Sequence, residues 1–346
     1  MEGLEVAAVG SGRAPRRAPG HEAEPGAGAG AARLESHRAE LVGYCYRMLG
    51  SVFEAEDAVQ ETMVRAWRGL DRFEERSSRR SWVYRIATNV CLDTLAAGKR
   101  RARPMDLSGP TRGAASPGAP LDAGLWIEPC PAGLVNTADD PAEAAETGES
   151  VRLAFIAALQ HLPPKQRAIL LLREVMCFSA REVADLHGCT VASVDSALQR
   201  ARATLAARRE TTGDTAVRPP GTVQQALAER YAAAFSGFDM DELSMLLHVD
   251  ATLSLPPHAL WMRGVSDIQA WLTGPAAGCR GSRLVPTFAN GSPAFGQYRP
   301  DADGTGFVPW ALQVIDFSGD RITNISAFRD TERLFPLFDL PARIDA

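Results

Sequence analysis

The segment Phe178–Arg209, FSAREVADLHGCTVASVDSALQRARATLAARR, constrains the chain most, because its punctuation fits two helices joined by a tight turn. Ser179 followed by Glu182 is a capping box, so a helix is predicted to start at Ser179. Val183, Ala184 and Leu186 supply its apolar face. Gly188 stands where that helix must stop, since glycine takes the left-handed conformation at little cost. Thr190 then caps a second helix, in which Val191, Val194, Leu198, Ala201 and Leu205 recur at helical spacing and are predicted to face inward. Ser193, Asp195, Ser196, Gln199, Arg200 and Arg202 are left outside. Short hydrogen-bonding groups come first and guanidinium groups follow. That is the order of a recognition helix entering a major groove N-terminus first, with base contacts early and phosphate contacts late. An ordinary αα-hairpin with a solvated face carries the same pattern, so the remainder of the chain decides between the two.

At 346 residues the chain is predicted to hold two or three domains. Its net charge of −5 looks wrong for a nucleic-acid binder until it is divided along the sequence. Residues 33–103 carry +4 and residues 149–210 carry +3, whereas 104–148 carry −6 and 211–346 carry −5. Two basic blocks are thus separated by an acidic linker and followed by an acidic domain. The six cysteines are scattered without a CxxC pair or a nearby His, which predicts no metal site. Cys45, Cys91 and Cys177 fall among apolar helix positions and read as small buried hydrophobes. No signal peptide or bilayer-spanning apolar run is visible, so a cytoplasmic setting without membrane contact is expected.

Residues 1–32, rich in Gly, Ala, Pro and Arg, read as a disordered tail. A helical unit follows over 33–103, then a flexible linker over 104–148. The linker is interrupted by the island LWIEP at 125–129, whose Trp126 reads as an exposed docking residue. Helices resume over 149–210. A short linker at 211–221 contains Pro219, Pro220 and Gly221. Residues 222–342 change character: QQALAERYAAAF and DMDELSMLL are helical, while DATLSL, GFVPWALQVIDF and RITNISAFRD have strand composition, with a turn at Ser318-Gly319-Asp320. The predicted fold class is therefore multidomain: two all-α helical domains, the second with the helix-turn-helix, and a C-terminal α+β domain.

Two further constellations lie in the first helical unit. Glu54, Glu56, Asp57 and Glu61 form an acidic run, and Asp57, Gln60, Glu61 and Val64 share one helical stripe. A solvated helix face explains the stripe, and so does a docking surface for a basic partner. Downstream, residues 76–103 hold eight Lys and Arg against the single acid Asp93. Phe73, Trp82 and Tyr84 are interleaved with them, and Asn89 lies one turn beyond Arg85. Cations, rings and an amide suit single-stranded nucleic acid, while a Trp that follows Ser at a helix start also reads as core.

The stretches YCYRMLGSVFEAEDAVQETMVRAWRGLDRF, RSWVYRIATNVCLDTL and LPPKQRAILLLREVMCFSAREVADLHGCTVASVDSALQRARATL resemble the two regions of a sigma-70 family factor of the extracytoplasmic-function group. The resemblance implies a bacterial transcription initiation factor that binds the β′ and β subunits of RNA polymerase core and directs it to promoter DNA. It implies that Asp57, Gln60, Glu61 and Val64 dock on the polymerase. It assigns Arg79, Arg80, Trp82, Tyr84, Arg85 and Asn89 to the −10 element and its opening. Ser193, Asp195, Ser196, Gln199, Arg200 and Arg202 fall to the −35 element. Asp195 departs from the family habit of a cation at that position.

The C-terminal part resembles the SnoaL-like cone, which implies an apolar pocket and a regulatory role over the fused factor. Candidate pocket residues are Tyr231, Phe235, His258, Trp261, Trp310 and Asp316, with Trp271 and Arg329 beside them, and a small molecule is a candidate ligand. No carboxylate-and-acid pair stands out, so no catalysis and no cofactor are expected. The rival reading is a cone-fold enzyme or small-molecule binder that carries a DNA-binding module as its regulator.

Overall fold

The computed structural model describes residues 32, 34–73, 78–98, 100–112, 115–135, 150–212 and 221–345. Local signals set the helices of the first unit. Helix α1 (Arg38–Leu49) ends at Gly50, whose φ of 74° lets its N–H return to the Tyr46 carbonyl. Helix α2 (Val52–Gly69) starts where the Ser51 hydroxyl accepts the Glu54 N–H, and α3 (Arg79–Ala97) is capped in the same way by Ser78. In the second unit, α4 (Leu153–Gln160) and α5 (Pro164–Leu170) precede a single wider turn over Leu171–Val175. Helices α6 (Ala180–His187) and α7 (Val191–Thr212) form the expected pair, with the Ser179–Glu182 capping box intact and Gly188 left-handed at φ 62°.

The C-terminal domain is α+β. Helices α8 (Gly221–Gly237), α9 (Met240–Leu246) and α10 (Val265–Thr273) lie on one face of a curved sheet. Its strands are β1 (Leu247–Ser254), β2 (Trp261–Arg263), β3 (Arg283–Ala289), β4 (Ser292–Pro300), β5 (Gly306–Ser318), β6 (Arg321–Phe328) and the short β7 (Ile344–Asp345). Spatial order is β2-β1-β6-β5-β4-β3, with β7 on β5 and only β1–β6 parallel. Helix α11 (Thr331–Leu337) follows β6.

The central strands β4, β5 and β6 are largely buried on both faces. Phe295, Ala311 and Ile315 point toward α8–α10, into the cone. Ala294, Tyr298, Leu312 and Val314 alternate with them and join a second core that runs without a break into both helical units. Gly296 belongs to that outer face, where a Cβ would lie 2.8 Å from a Leu340 methyl and would have to displace that side chain.

Three expectations are corrected. Val191, placed inward by its spacing, is 42% exposed, because the first turn of α7 extends past the hairpin core. Cys177 is exposed, at φ 56° in the connection before α6, whereas Cys45 and Cys91 are buried. Trp126, expected to dock onto another surface, does so: it is 3% exposed and lines one pocket with Pro256, Phe328 and Leu334 of the cone. The described part of the segment read as a flexible linker is fastened along the cone instead. The Trp261 indole donates to Ser108 O at 2.8 Å, Thr111 N–H to Trp261 O at 2.7 Å, and Leu121 N–H to Pro257 O at 2.9 Å. The expected tail apart from residue 32, all of residues 136–149, and 213–220 lie outside the described residues. Among the described residues, no helix is long and apolar enough to cross a membrane.

Candidate nucleic-acid interface

Helix α7 is held from below by Val194, Ala197, Leu198 and Ala201, all buried against α6 and the helices before it. That anchoring turns Ser193, Asp195, Ser196, Gln199, Arg200 and Arg202 outward, and all six are exposed. The Ser193 hydroxyl lies 2.9 Å from that of Thr190 and belongs to the helix cap, so its freedom to read a base is limited. Arg202 pairs with Glu174 at the helix flank. Gln199 and Arg200 stand exposed one after the other on the outward face.

On α2, Asp57, Gln60 and Glu61 are exposed and Val64 is half-buried, so the stripe expected from sequence is present as one surface. Trp67, one turn further, extends it at 64% exposure. The sequence reading missed Trp67, although its spacing from Val64 placed it on the same stripe. Glu61 is tied to Arg65 at 2.7 Å, an exposed pair of the kind that adds little stability.

The cationic set on α3 divides. Arg85 and Asn89 are exposed one turn apart. Trp82 is buried against Phe73, with ring centroids 4.9 Å apart. Tyr84 is buried edge-on between Tyr44 and Phe178, and burial pushes its hydroxyl pKa up. Arg79 is half-buried with its guanidinium 5.9 Å from the Phe73 ring. Arg80 is clamped: it donates to Glu40 at 3.1 Å and to Met176 O at 3.2 Å, and stacks 4.5 Å from Phe178. Met176 and Phe178 belong to the second helical unit, so the α3 face meets the connection into α6. The fully buried Arg167 of α5 strengthens this contact by donating to Met48 O of α1 and to Gln160 Oε1 at 2.6 Å.

Where the linker reaches the second unit, His161 is buried with Arg208 donating to its Nδ1 at 2.7 Å and Asp106 3.3 Å from its Nε2. Because Arg208 can only donate, the neutral Nε2–H tautomer satisfies both partners. Burial lowers the His161 pKa from 6.5; Asp106 opposes the shift, and Arg208 and Arg100 add to it. Burial works against ionisation of Asp106, but Arg103, by charge and backbone N–H, and His161 hold its carboxyl below the ordinary 3.8. The unfolded chain therefore takes up the His161 proton first, and stability falls as pH drops through 6.5. Asp106 acts with the same sign at lower pH; His187, lowered by burial, adds to the drop. Glu128, raised by burial, opposes it. The thermal midpoint is expected to fall by a few degrees between about pH 7.5 and about 5.5, and less in His161→Gln. Scanning calorimetry of both proteins tests this, and equal slopes would remove His161 from the account.

The candidate pocket residues separate into four groups. Tyr231 and Phe235 are in the cone core, where the Tyr231 hydroxyl donates to Gln313 at 2.6 Å and Gln313 to Gln297 at 2.8 Å. His258 and Trp261 face the linker strap: His258 Nδ1 lies 2.7 Å from Gly118 O. Asp316 does not line the cone; it is buried toward the helical half, accepting from Ser292 at 3.2 Å and Asn324 at 3.1 Å, with Arg152 at 3.6 Å. Trp310 lies between strands that bring Arg299 and Arg329 to it.

Sequence reasoning missed the residue that joins all the parts. Asn290 and Gly291, at φ 54° and 67°, form the tip of the β3–β4 hairpin, and Asn290 is 0% exposed. Its amide donates to the Tyr46 hydroxyl at 2.7 Å and to Val151 O at 2.6 Å, and its carbonyl accepts the Cys130 N–H at 2.8 Å. One side chain of the cone thus bonds to the first unit, the linker and the second unit. Glu128 completes the junction: its carboxylate accepts from Ser51 and, at 3.2 Å, from Arg333 of α11, while its backbone carbonyl accepts the Tyr46 hydroxyl at 2.8 Å.

Comparison with known proteins bears on the same segments. Residues 34–101 match the sigma-70 region 2 family and residues 152–205 the sigma-70 region 4 family. The chain is 40% identical over 343 residues to the ECF RNA polymerase sigma factor SigG of Mycobacterium tuberculosis, covering 98% of this chain and 89% of that one. It is 28% identical to SigJ of the same species over 64% of this chain and 63% of SigJ. The crystal structure of Mycobacterium tuberculosis SigJ superposes with a TM-score of 0.57 at 21% identity, over 90% of this chain and 99% of SigJ, which shows a shared fold. The exposed stripes on α2, α3 and α7 fall inside the two matched regions, and full-length similarity extends through the cone: the chain belongs to the extracytoplasmic-function sigma factors, the transcription initiation factors of the sigma-70 family.

Proposed function

We propose that this sigma factor docks on RNA polymerase core through Asp57, Gln60, Glu61, Val64 and the adjoining Trp67. It reads the −35 element with Gln199, Arg200 and their neighbours on α7, and engages the −10 element with Arg85 and Asn89. The observation that carries the reading is the match between chemistry and exposure: each outward stripe has the groups its role needs. Acids and an apolar edge suit a basic protein surface, and amide and guanidinium groups suit base edges. Such a factor works where polymerase and promoter DNA meet, in the cytoplasm. The rival, an enzyme regulated by a DNA-binding module, has no use for a polymerase-docking stripe.

Arg80 and Tyr84 are occupied in the contact between regions 2 and 4, and the cone braces that contact through Asn290. We infer that the structure is the closed form of the factor and that regions 2 and 4 separate when it joins polymerase. The cone then modulates initiation by its hold on the closed form.

Two substitutions test the DNA-reading assignments. Arg200→Ala is expected to weaken binding to a −35 duplex by roughly 1–3 kcal/mol, and Gln199→Ala by a similar amount where it meets a base edge. Asn89→Ala is expected to leave duplex binding unchanged and impair opening, since its partner is an unpaired base taken out of the stack. A normal permanganate-reactive bubble with Asn89→Ala would remove that residue from strand opening.

A further inference from the structure

Trp310 of β5 is flanked by two arginines from its neighbouring strands. The guanidinium carbon of Arg299, near the end of β4, lies 3.0 Å from the centroid of the indole. That of Arg329, just past β6, lies 3.3 Å from it. Two guanidinium groups this near one centroid cannot share a face of the ring without overlapping, so they lie on opposite faces, about 6 Å apart, and the indole stacks between them.

Neither arginine has a carboxylate partner among the described residues. Arg329 Nε donates to Trp310 O at 2.9 Å, and Arg299 donates one Nη to the Cys279 sulfur at 2.8 Å. Arg299 Nε is buried with no partner at all. This sets the pair apart within the cone. Arg230, Arg263, Arg333 and Arg343 are each paired with an acid. Arg280 and Arg283 lack one but are exposed, where water serves the charge. Arg299 and Arg329 are half-buried, next to each other and uncompensated. Burial, and then the charge of Arg299, lower the Arg329 pKa to about 10. A single arginine would satisfy the stacking on Trp310; a second one adds like-charge repulsion and exposes a surplus of donors directed at nothing in the chain.

We propose that Arg299 and Arg329 form a binding site for a small oxyanion, carboxylate or phosphate, at the edge of Trp310 in the cone. A guanidinium presents paired N–H groups in the geometry of such an anion. The indole fills the space between the two stacked groups, so one oxyanion that accepts from both arginines sits beyond the rim of the ring, where N–H groups from above and below its plane can reach it. Gly278 borders the site, where a Cβ would lie 3.4 Å from an Arg299 Nη. The site also adjoins the linker strap. The Arg329 N–H donates to Pro256 O at 2.7 Å, and the next residue, Pro257, holds Leu121.

The test is a titration of the full chain with sodium phosphate and, separately, with sodium acetate, at ionic strength held constant with sodium chloride. Thermal midpoint and tryptophan emission are the readouts. Saturable binding of either anion is expected. It should be weakened at least about tenfold by Arg299→Gln and by Arg329→Gln, through loss of a charge-assisted partner. Arg263→Gln, which removes one charge elsewhere on the cone, should leave it unchanged. If the Gln variants fail to fold, Arg299→Lys and Arg329→Lys serve in their place. They keep the charge, lose the paired donors, and should bind several-fold more weakly. A response to phosphate alone identifies a phosphate ester as the ligand class, and one to acetate alone a carboxylate. No saturable response to either anion, or a response equal in wild type and in the Arg299 and Arg329 variants, overturns the site. Binding is read directly, so that result would leave the proposed role in transcription untouched.

Discussion

Asp57→Arg is expected to abolish recovery of polymerase core in a pull-down while the variant folds as the wild type does. Asp57 is exposed on α2 and makes no contact that the fold requires, so stability should not change. Its neighbours on the stripe, Gln60 and Glu61, face the same way, and Glu54 and Glu56 add to the negative field at that end of the helix. Placing a cation there against a basic partner creates a like-charge contact that costs several kcal/mol, or on the order of 10²–10³-fold in affinity. Trp67→Ala should weaken the same interaction by at least about 1 kcal/mol, because a large exposed ring at the end of such a stripe is the commonest kind of interface anchor. Core recovery at the wild-type level with Asp57→Arg would move the docking surface away from α2.

What the sequence made legible follows the range of the forces involved. The Ser179–Glu182 box, the Gly188 stop and the outward face of α7 are short-range features, set within a few residues, and each is where periodicity and capping put it. Val191 has the spacing of a core residue but no neighbour to cover it, since coverage depends on how far α6 extends. Trp126 was singled out as a docking residue and is buried as such, although its partners in the cone stand more than a hundred residues away. The pair Asn290-Gly291 is a strong hairpin signal that was open to reading. Even so, a turn dipeptide says only that the chain reverses there. That its tip enters a seam between Tyr46, Cys130 and Val151 is a property of three distant segments together. The same holds for Arg80, whose charge and aromatic neighbours suggest nucleic acid, and which is instead engaged by Met176 and Phe178 in the closed form.

That seam carries the other large expected effect. Asn290→Gly keeps the turn, because glycine accepts the positive φ of 54° at least as readily as asparagine, and it removes only the side chain. In the docked form the Tyr46 hydroxyl, the Val151 carbonyl and the Cys130 N–H then each lose a buried partner, whereas in the open form water serves all three. The Tyr46 hydroxyl still donates to Glu128 O, but the other two groups are left unsatisfied at about 1–3 kcal/mol each, so docking weakens by at least about 2 kcal/mol, or roughly 30-fold. Tethering opposes this, since parts of one chain meet at an effective concentration in the millimolar range. The contact between regions 2 and 4 through Arg80, Arg167 and Phe178 is left intact and continues to favour closure. The net result should be a population shift rather than full release: a larger radius of gyration in solution scattering, and transcription from a cognate promoter raised on the order of tenfold with saturating core. Charge contributes as well, because residues 211–346 carry −5 against +4 and +3 on the two helical blocks. The gain over wild type should therefore shrink as salt weakens docking in the wild type itself. Increased output together with expansion establishes the cone as an inhibitor that acts by holding the factor closed. Expansion with reduced output would mean that the same contact positions regions 2 and 4 for polymerase. If neither quantity changes at any salt concentration, the Asn290 seam is not the device through which the cone acts.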